Sequence, residues 1–308
     1  MWRSFSRIPV MIAALAGLLL VAAGAGTATA KPSQACCTER SVSIPADGYV
    51  IPGTFTLPRA GGAHGRYPTV LLLHGTASQK DEVGDMYRRL ATKLGERGYA
   101  SLRIDFAGSG DSTLPQTAFT YDEEVSDTRT ALTWLTEQPQ VRADALGLVG
   151  FSQGGRVAAT VAGTDDRVAA VATWSTWMED GSTAYLLYGA DAYATAVREG
   201  QVTVDLGFTT WTYSLAFFES IKNSHPLQDI ANYRGPLLGI DGSEDELWPQ
   251  TKDELYAAGS LDETLHVVPG ADHIYHVLTD DQTQAEDVLD TTSAWFGATL
   301  APQVRNGH

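Results

Sequence analysis

Leu146-Gly147-Leu148-Val149-Gly150-Phe151-Ser152-Gln153-Gly154-Gly155-Arg156-Val157-Ala158-Ala159-Thr160-Val161-Ala162 is the stretch on which the reading of the fold turns. Leu146 to Val149 is a short apolar run of strand type, and Gly154 to Ala162 is a helical run. Gly150 to Gly154 joins them in a turn so tight that its central residue must take a strained backbone conformation. Its neighbours two positions away must then be small, which is the physical reason for Gly150 and Gly154. Ser152 would stand at the C-terminal edge of a sheet, beside a helix start.

Outward from this unit, strand-length apolar runs alternate with helical patterns. Ser41 to Ile44 and Tyr49 to Leu57 predict a leading hairpin around Asp47-Gly48. Thr69 to Leu73, Ala100 to Ile104, Val168 to Ala172, Leu237 to Ile240 and Leu265 to Val268 are further strands, most of them apolar enough to be covered on both faces. Helices are expected at Met86 to Glu96, Asp122 to Glu137, Thr251 to Ala258 and Asp281 to Phe296. This alternation predicts one α/β domain over residues 41–300, a mostly parallel central sheet with helices on both faces.

One interval breaks the rhythm. About sixty residues separate the strands ending near Thr173 and beginning near Leu237, far more than a single crossover needs. Ten of the chain's 28 aromatic residues fall between Trp174 and Phe218. A helical lid over residues 175–232 is expected, with Trp177 and Trp211 as candidate lining of an apolar substrate pocket.

A serine hydroxyl needs a base, and the base needs an orienting acid. Of the seven histidines, His273 lies in a loop after the strand Leu265 to Val268, on the same sheet edge as Ser152; His276 is the alternative. For the acid, Asp245 lies past the Gly242 turn after the strand Leu237 to Ile240, with Asp241 as the alternative. The order Ser152, Asp245, His273 suits a nucleophile on a strand-to-helix elbow. Two preorganised N–H donors are then expected for the oxyanion, from Gln153 and from Thr76 in the loop opened by His74. His74 itself reads as a structural residue at a strand end.

His74-Gly75-Thr76, Asp105-Phe106-Ala107-Gly108-Ser109-Gly110-Asp111-Ser112, Gly150 to Gly154, Gly242 to Asp245 with Pro249, and Gly270 to His273 occur in the order of the α/β-hydrolase superfamily, which the chain resembles over about residues 41–300. Gln79-Lys80-Asp81-Glu82 and the Asp105 to Ser112 stretch are similar to cinnamoyl and feruloyl esterase-like enzymes and to acylaminoacyl-peptidase-like hydrolases. Ala107 stands where an Arg is frequent in relatives. The resemblance implies the α/β-hydrolase fold, with Asp105 to Ser112 a structural strand-loop at the edge of the site. It implies a serine esterase acting on a small-molecule ester through an acyl-enzyme, with an apolar or aromatic acyl group expected from the lid. An aminoacyl- or peptide-releasing hydrolase is the second reading, with Glu179, Asp180, Asp191 and Asp205 as candidate α-amino partners. A non-catalytic binding module is the third.

Composition bounds these readings. The chain has 308 residues, 44% hydrophobic and 19% charged, with two cysteines, which excludes a disordered, collagenous or disulfide-built protein. A formal charge of −16 disfavours a nucleic-acid partner. No matched metal-ligand cluster and no dinucleotide-type glycine loop is present, so neither a metal nor a cofactor is expected.

The basic lead Trp2 to Arg7, the apolar run Ile8 to Val21 and Ala28-Thr29-Ala30 predict a cleaved leader over residues 1–30 and a secreted or extracytoplasmic protein. No later stretch is long enough to span a membrane. Residues 31–40, holding Cys36 and Cys37, are expected to be an exposed tail, and 301–308 a second one.

Overall fold

The computed structural model describes residues 36–59 and 65–300. The expected leader, residues 31–35 of the N-terminal tail, His64 and the tail 301–308 with His308 lie outside the described residues. In chain order the elements of the first half are β1 (Cys37–Pro45), β2 (Val50–Pro58), β3 (Tyr67–Leu73), α1 (Met86–Glu96), β4 (Ala100–Ile104), α2 (Tyr121–Thr136), β5 (Val141–Phe151), α3 (Gln153–Thr164) and β6 (Val168–Trp174). The interval that follows contains α4 (Gly181–Ala184), α5 (Ala190–Glu199), β7 (Gln201–Asp205), β8 (Thr210–Ser214), α6 (Leu215–Lys222) and α7 (Pro226–Ile230). The chain then returns to the sheet through β9 (Leu237–Gly242), α8 (Trp248–Ala257), β10 (Glu263–Val268) and α9 (Thr283–Thr299).

Eight strands form one sheet in the order β1-β2-β4-β3-β5-β6-β9-β10. The β1/β2 and β2/β4 pairs are antiparallel and the others parallel. The apolar runs read as two-sided because they are. In β3, Leu71 and Leu73 enter the cluster with Val157, Ala158 and Leu237, while Val70 and Leu72 enter the opposite one with Leu90, Leu94, Val288 and Phe296 of α1 and α9. Period-two alternation sends neighbours to opposite faces, and helices cover both. Thr120 caps α2 by accepting from the Glu123 N–H at 3.2 Å, and Glu123 stands in the capping-box position.

Two expectations need correction. The N-terminal tail does not extend to residue 40: Cys37 to Arg40 already pair with Phe55 to Pro58 in the first hairpin. Cys37 therefore opens a strand, and neither it nor Cys36 is in a disulfide. The inserted interval carries, besides its helices, the antiparallel pair β7 and β8. Its signal is in the sequence: Gln201 to Asp205 and Thr210 to Ser214 are rich in Val, Thr, Trp and Tyr with alternating burial, and Gly207 turns between them at φ 86°.

Candidate active site

Ser152 occupies the turn between β5 and α3 at φ 52°, ψ −116°, a conformation costly for a side-chain-bearing residue. Its N–H donates to Trp174 O at 2.9 Å, fastening the elbow to β6. The flanking glycines are dictated by backbone approach: a Cβ on Gly150 would lie 2.2 Å from Gly154 O, and one on Gly154 would lie 2.1 Å from Leu73 O.

His273 lies in the loop after β10. Asp272 shapes that loop, its Oδ1 accepting from the N–H groups of Ile274 (3.1 Å) and His276 (2.9 Å). Tyr275 and His276 both have positive φ, 58° and 52°. Tyr275 is wholly buried, accepts from Ser175 Oγ at 3.0 Å and donates to Ile240 O at 3.0 Å, which anchors the strained turn to β9. His273 Nε2 faces Ser152 Oγ at 3.2 Å, and Nδ1 lies 2.8 Å from Asp245 Oδ2. A carboxylate can only accept, so Nδ1 carries the proton and Nε2 is free to accept from the serine. His276 is not part of this chain; its Nε2 sits 3.7 Å from Asp272 Oδ2.

Asp245 is buried, and its Oδ1 accepts the Leu247 N–H at 2.9 Å. Burial alone would raise its pKa, but the hydrogen bond and charge of His273, with the Leu247 N–H and Ser175, hold it below the ordinary carboxylate range. The acid and histidine loops are joined directly, Glu244 N–H donating to Ala271 O at 2.9 Å.

Asp241, the alternative acid, is wholly buried on β9 and, among the described residues, makes no hydrogen bond with His273. Burial, opposed by the neighbouring Thr251 and reinforced by the charges of Asp245 and Glu254, pushes its pKa up to about 8. Glu254, wholly buried on α8 and accepting from Thr173 Oγ1 at 2.8 Å, is likewise pushed up to about 8 by burial. Both folded values stand above the unfolded carboxylate range of about 4, so the folded state holds more protons between these limits. Stability from this pair is complete below about pH 4 and is lost as pH rises toward about 8. Glu254→Gln should therefore flatten the fall of Tm between about pH 4 and 8; melts with the wild-type slope would refute the neutral carboxyl.

Thr76 lies in the loop between β3 and α1, where Gly75 packs beside Phe151. That loop is caged by Glu82, unremarked in the sequence beyond its place after the loop. Its carboxylate accepts from Gly75 N–H (2.7 Å), Ser78 Oγ (2.7 Å) and Val83 N–H (2.8 Å). Lys80 adds a second tie, its N–H donating to the wholly buried Asp105 at 2.7 Å and its Nζ at 2.8 Å. This is the structural part implied for Asp105 to Ser112. His74 is structural too: Nδ1 donates to Gly75 O at 2.8 Å, and Nε2 accepts the Phe106 N–H at 3.2 Å. Among the described residues, the backbone N–H groups of Thr76 and Gln153 have no protein acceptor.

The sequence over most of the chain is matched by a family model. The model for the Alpha/beta hydrolase family covers residues 70–290. The chain belongs to this family.

Among curated proteins, this alpha/beta hydrolase is 30% identical over 132 residues to the 2,6-dihydropseudooxynicotine hydrolase of Paenarthrobacter nicotinovorans. That match takes in 42% of this chain but only 32% of the relative, about a third of its length. It is 27% identical over 266 residues, 81% of this chain and 76% of the relative, to a Methylorubrum extorquens protein provisionally assigned as a carboxymethylenebutenolidase. Among solved structures, Est1E from Butyrivibrio proteoclasticus with bound ferulic acid superimposes with a TM-score of 0.72 at 17% identity, covering 84% of this chain and 99% of Est1E. That likeness is one of fold.

In this alpha/beta hydrolase the candidate lining residues are placed differently from the expectation. Trp177 is 2% exposed and lies under the Arg156 guanidinium, 5.0 Å from its ring centre; Trp211 is 7% exposed and edge-on to Phe119. Both belong to the core where the inserted segment packs on the rest of the domain, Trp177 against Arg156 and Tyr188 and Trp211 against Phe119. Tyr188 is the inserted residue that reaches the loop carrying Thr76: its hydroxyl lies 3.3 Å from Thr76 Oγ1 and 3.4 Å from Gln153 Oε1. Among the described residues no helix is long and apolar enough to cross a membrane.

Proposed function

We propose that the chain is an exported serine hydrolase that cleaves small carboxylic esters through an acyl-enzyme. One observation carries the reading: Ser152, on a strained elbow, is in hydrogen-bond reach of an imidazole whose other nitrogen is held by a buried, ionised carboxylate. In the reaction Ser152 Oγ attacks the ester carbonyl while His273 Nε2 takes its proton. The proton then passes to the leaving alcohol, and Asp245 stabilises the imidazolium between the two steps. The backbone N–H groups of Thr76 and Gln153 receive the oxyanion. Water then repeats the sequence on the acyl-enzyme. Export rests on the leader-like residues 1–30; N-terminal sequencing of secreted protein should begin at Lys31.

The α-amino-recognising alternative is disfavoured by how two of its four candidate acids, Asp180 and Asp205, are used. Asp180 caps α4 through Ser182 N–H (3.0 Å) and pairs with His225 (2.8 Å), which with its neighbours lowers it to about 2. Asp205 accepts from Gly207 N–H at 2.9 Å within the β7–β8 turn. Half-buried Tyr188, whose hydroxyl lies 3.3 Å from Thr76 Oγ1, is the aromatic group of the inserted segment beside the site that supports an apolar or aromatic acyl group.

The test is kcat/KM across p-nitrophenyl esters from acetyl to decanoyl, with a feruloyl ester and aminoacyl p-nitroanilides included. Ester turnover well above anilide turnover, rising with acyl apolarity, is expected; preference for the anilides would sink the reading. Trp177→Ala should cost about 3–5 kcal/mol of stability and lower every substrate alike. A flattened acyl preference at unchanged Tm would instead return Trp177 to the substrate pocket.

A further inference from the structure

Glu124 on α2 is a buried acid that the reaction above does not use. It is wholly buried, and its recorded side-chain hydrogen bond is from Gln153 Nε2, whose own side chain is also wholly buried. Glu124 Oε1 has no partner among the described residues. The other end of the same amide, Gln153 Oε1, accepts from Thr76 Oγ1 at 2.8 Å and from the Tyr188 hydroxyl at 3.4 Å. One side chain thus runs from α2, across the residue after the nucleophile, to the loop that carries the second N–H donor.

The two ends of a glutamine amide are nearly equal in shape, so only the polarity of its partners fixes which way it points. With an acceptor at Glu124, the nitrogen must face α2 and the oxygen must face Thr76. Without that acceptor the amide gains nothing by this orientation. When it turns over, an N–H₂ group replaces the acceptor opposite Thr76 Oγ1 and Tyr188. The bond that couples the two oxyanion donors is then reversed: Thr76 Oγ1 must accept where it donated, and the loop that carries Thr76 is held in a different register, although no group touching substrate has been altered.

We propose that Glu124 is a positioning residue: its carboxyl accepts from the Gln153 amide and orients it, and through Thr76 it sets the spacing of the two N–H donors of the oxyanion hole. The proposal rests on the serine-hydrolase reading of Ser152. The neutrality of that carboxyl follows from its surroundings. Glu124 is buried without a salt-bridge partner, the charged groups nearest it being Asp127 on its own helix and Arg156 on α3, and burial pushes its pKa well above the usual carboxylate range. The part the carboxyl plays is that of a carbonyl acceptor, which an amide can also play.

The test uses the full chain and three variants, with kcat and KM on a p-nitrophenyl ester and Tm measured for each. Glu124→Gln keeps an acceptor of the same shape and should stay within about twofold of wild type in kcat. Glu124→Leu should lower kcat by about 10- to 100-fold with KM little changed, a fraction of the loss seen when an oxyanion donor is removed outright. Its Tm should fall modestly, because one end of the buried Gln153 amide is left without a partner, and kcat is therefore compared well below the melting range. Thr76→Val should lower kcat to a similar degree, and the double variant Glu124→Leu/Thr76→Val should be no worse than the poorer single one. Wild-type kcat in Glu124→Leu, equal losses in Glu124→Gln and Glu124→Leu, or additive losses in the double variant would each overturn the proposal. Should Glu124→Leu not fold, wild-type kcat in Thr76→Val overturns it alone. Ser152→Ala measured alongside separates the two levels. An inactive Ser152→Ala with an unaffected Glu124→Leu sinks only the positioning role, and an active Ser152→Ala sinks the serine reading and this proposal with it.

Discussion

Ser152→Ala should lose ester turnover by about 10⁶-fold in kcat while keeping the wild-type Tm. The size follows from the chemistry: no second nucleophile stands at the elbow, and His273 Nε2, 3.2 Å from Ser152 Oγ, would face a methyl group. The residual rate would come from the oxyanion donors and substrate binding, with water attacking directly. Stability should hold or improve slightly, since the smaller residue occupies the same strained turn at φ 52°. The checks are single-turnover kinetics on p-nitrophenyl butyrate and labelling by a fluorophosphonate, which attaches to an activated serine. A variant that retains normal turnover, or that labels as wild type does, would remove Ser152 from the reaction.

Asp245→Asn should lower kcat by roughly 10²- to 10⁴-fold with the fold intact. An asparagine can present its N–H₂ group to His273 Nδ1, which then favours the tautomer with its proton on Nε2. That nitrogen could no longer take the proton of Ser152. The imidazolium formed during attack would also lose the negative charge 2.8 Å away. Asp241→Asn should cost far less than Asp245→Asn, because Asp241 makes no hydrogen bond with the histidine and burial raises its pKa to about 8. Measuring kcat for both variants against pH separates them. A larger loss in Asp241→Asn than in Asp245→Asn would move the acid to β9 itself.

Much of this site was legible before any coordinates. Ser152 is marked by glycines whose smallness the close approach of Gly154 and Leu73 carbonyls demands. His273 and Asp245 are marked by their position just past strand ends, where side chains leave the sheet on the edge that carries Ser152. The residues that hold these three in place carried weaker signals or none. Glu82, Ser175, Tyr275 and Glu124 sit in helices, turns and loops with no local pattern that tells a buried partner from a solvated one. The β7–β8 pair did leave a local signal, but the aromatic excess around it suits lid helices equally well.

The sequence by itself determined the alternation of strands and helices, the elbow, the order of nucleophile, acid and base, and the acidity of the chain. Each of these depends on residues close together in the chain: period-two and helical spacing, a five-residue turn, a count of charges. Only the tertiary structure put Asp245 and His273, and not Asp241 and His276, in a hydrogen-bonded row with Ser152, took Trp177 and Trp211 into the interior, and joined Glu124 to Thr76 through Gln153. Those outcomes depend on contacts across as many as 121 positions, as between Ser152 and His273, and on which carboxyl is left without water. Desolvation and hydrogen-bond partnership are properties of the packed molecule, and no short stretch of residues encodes them.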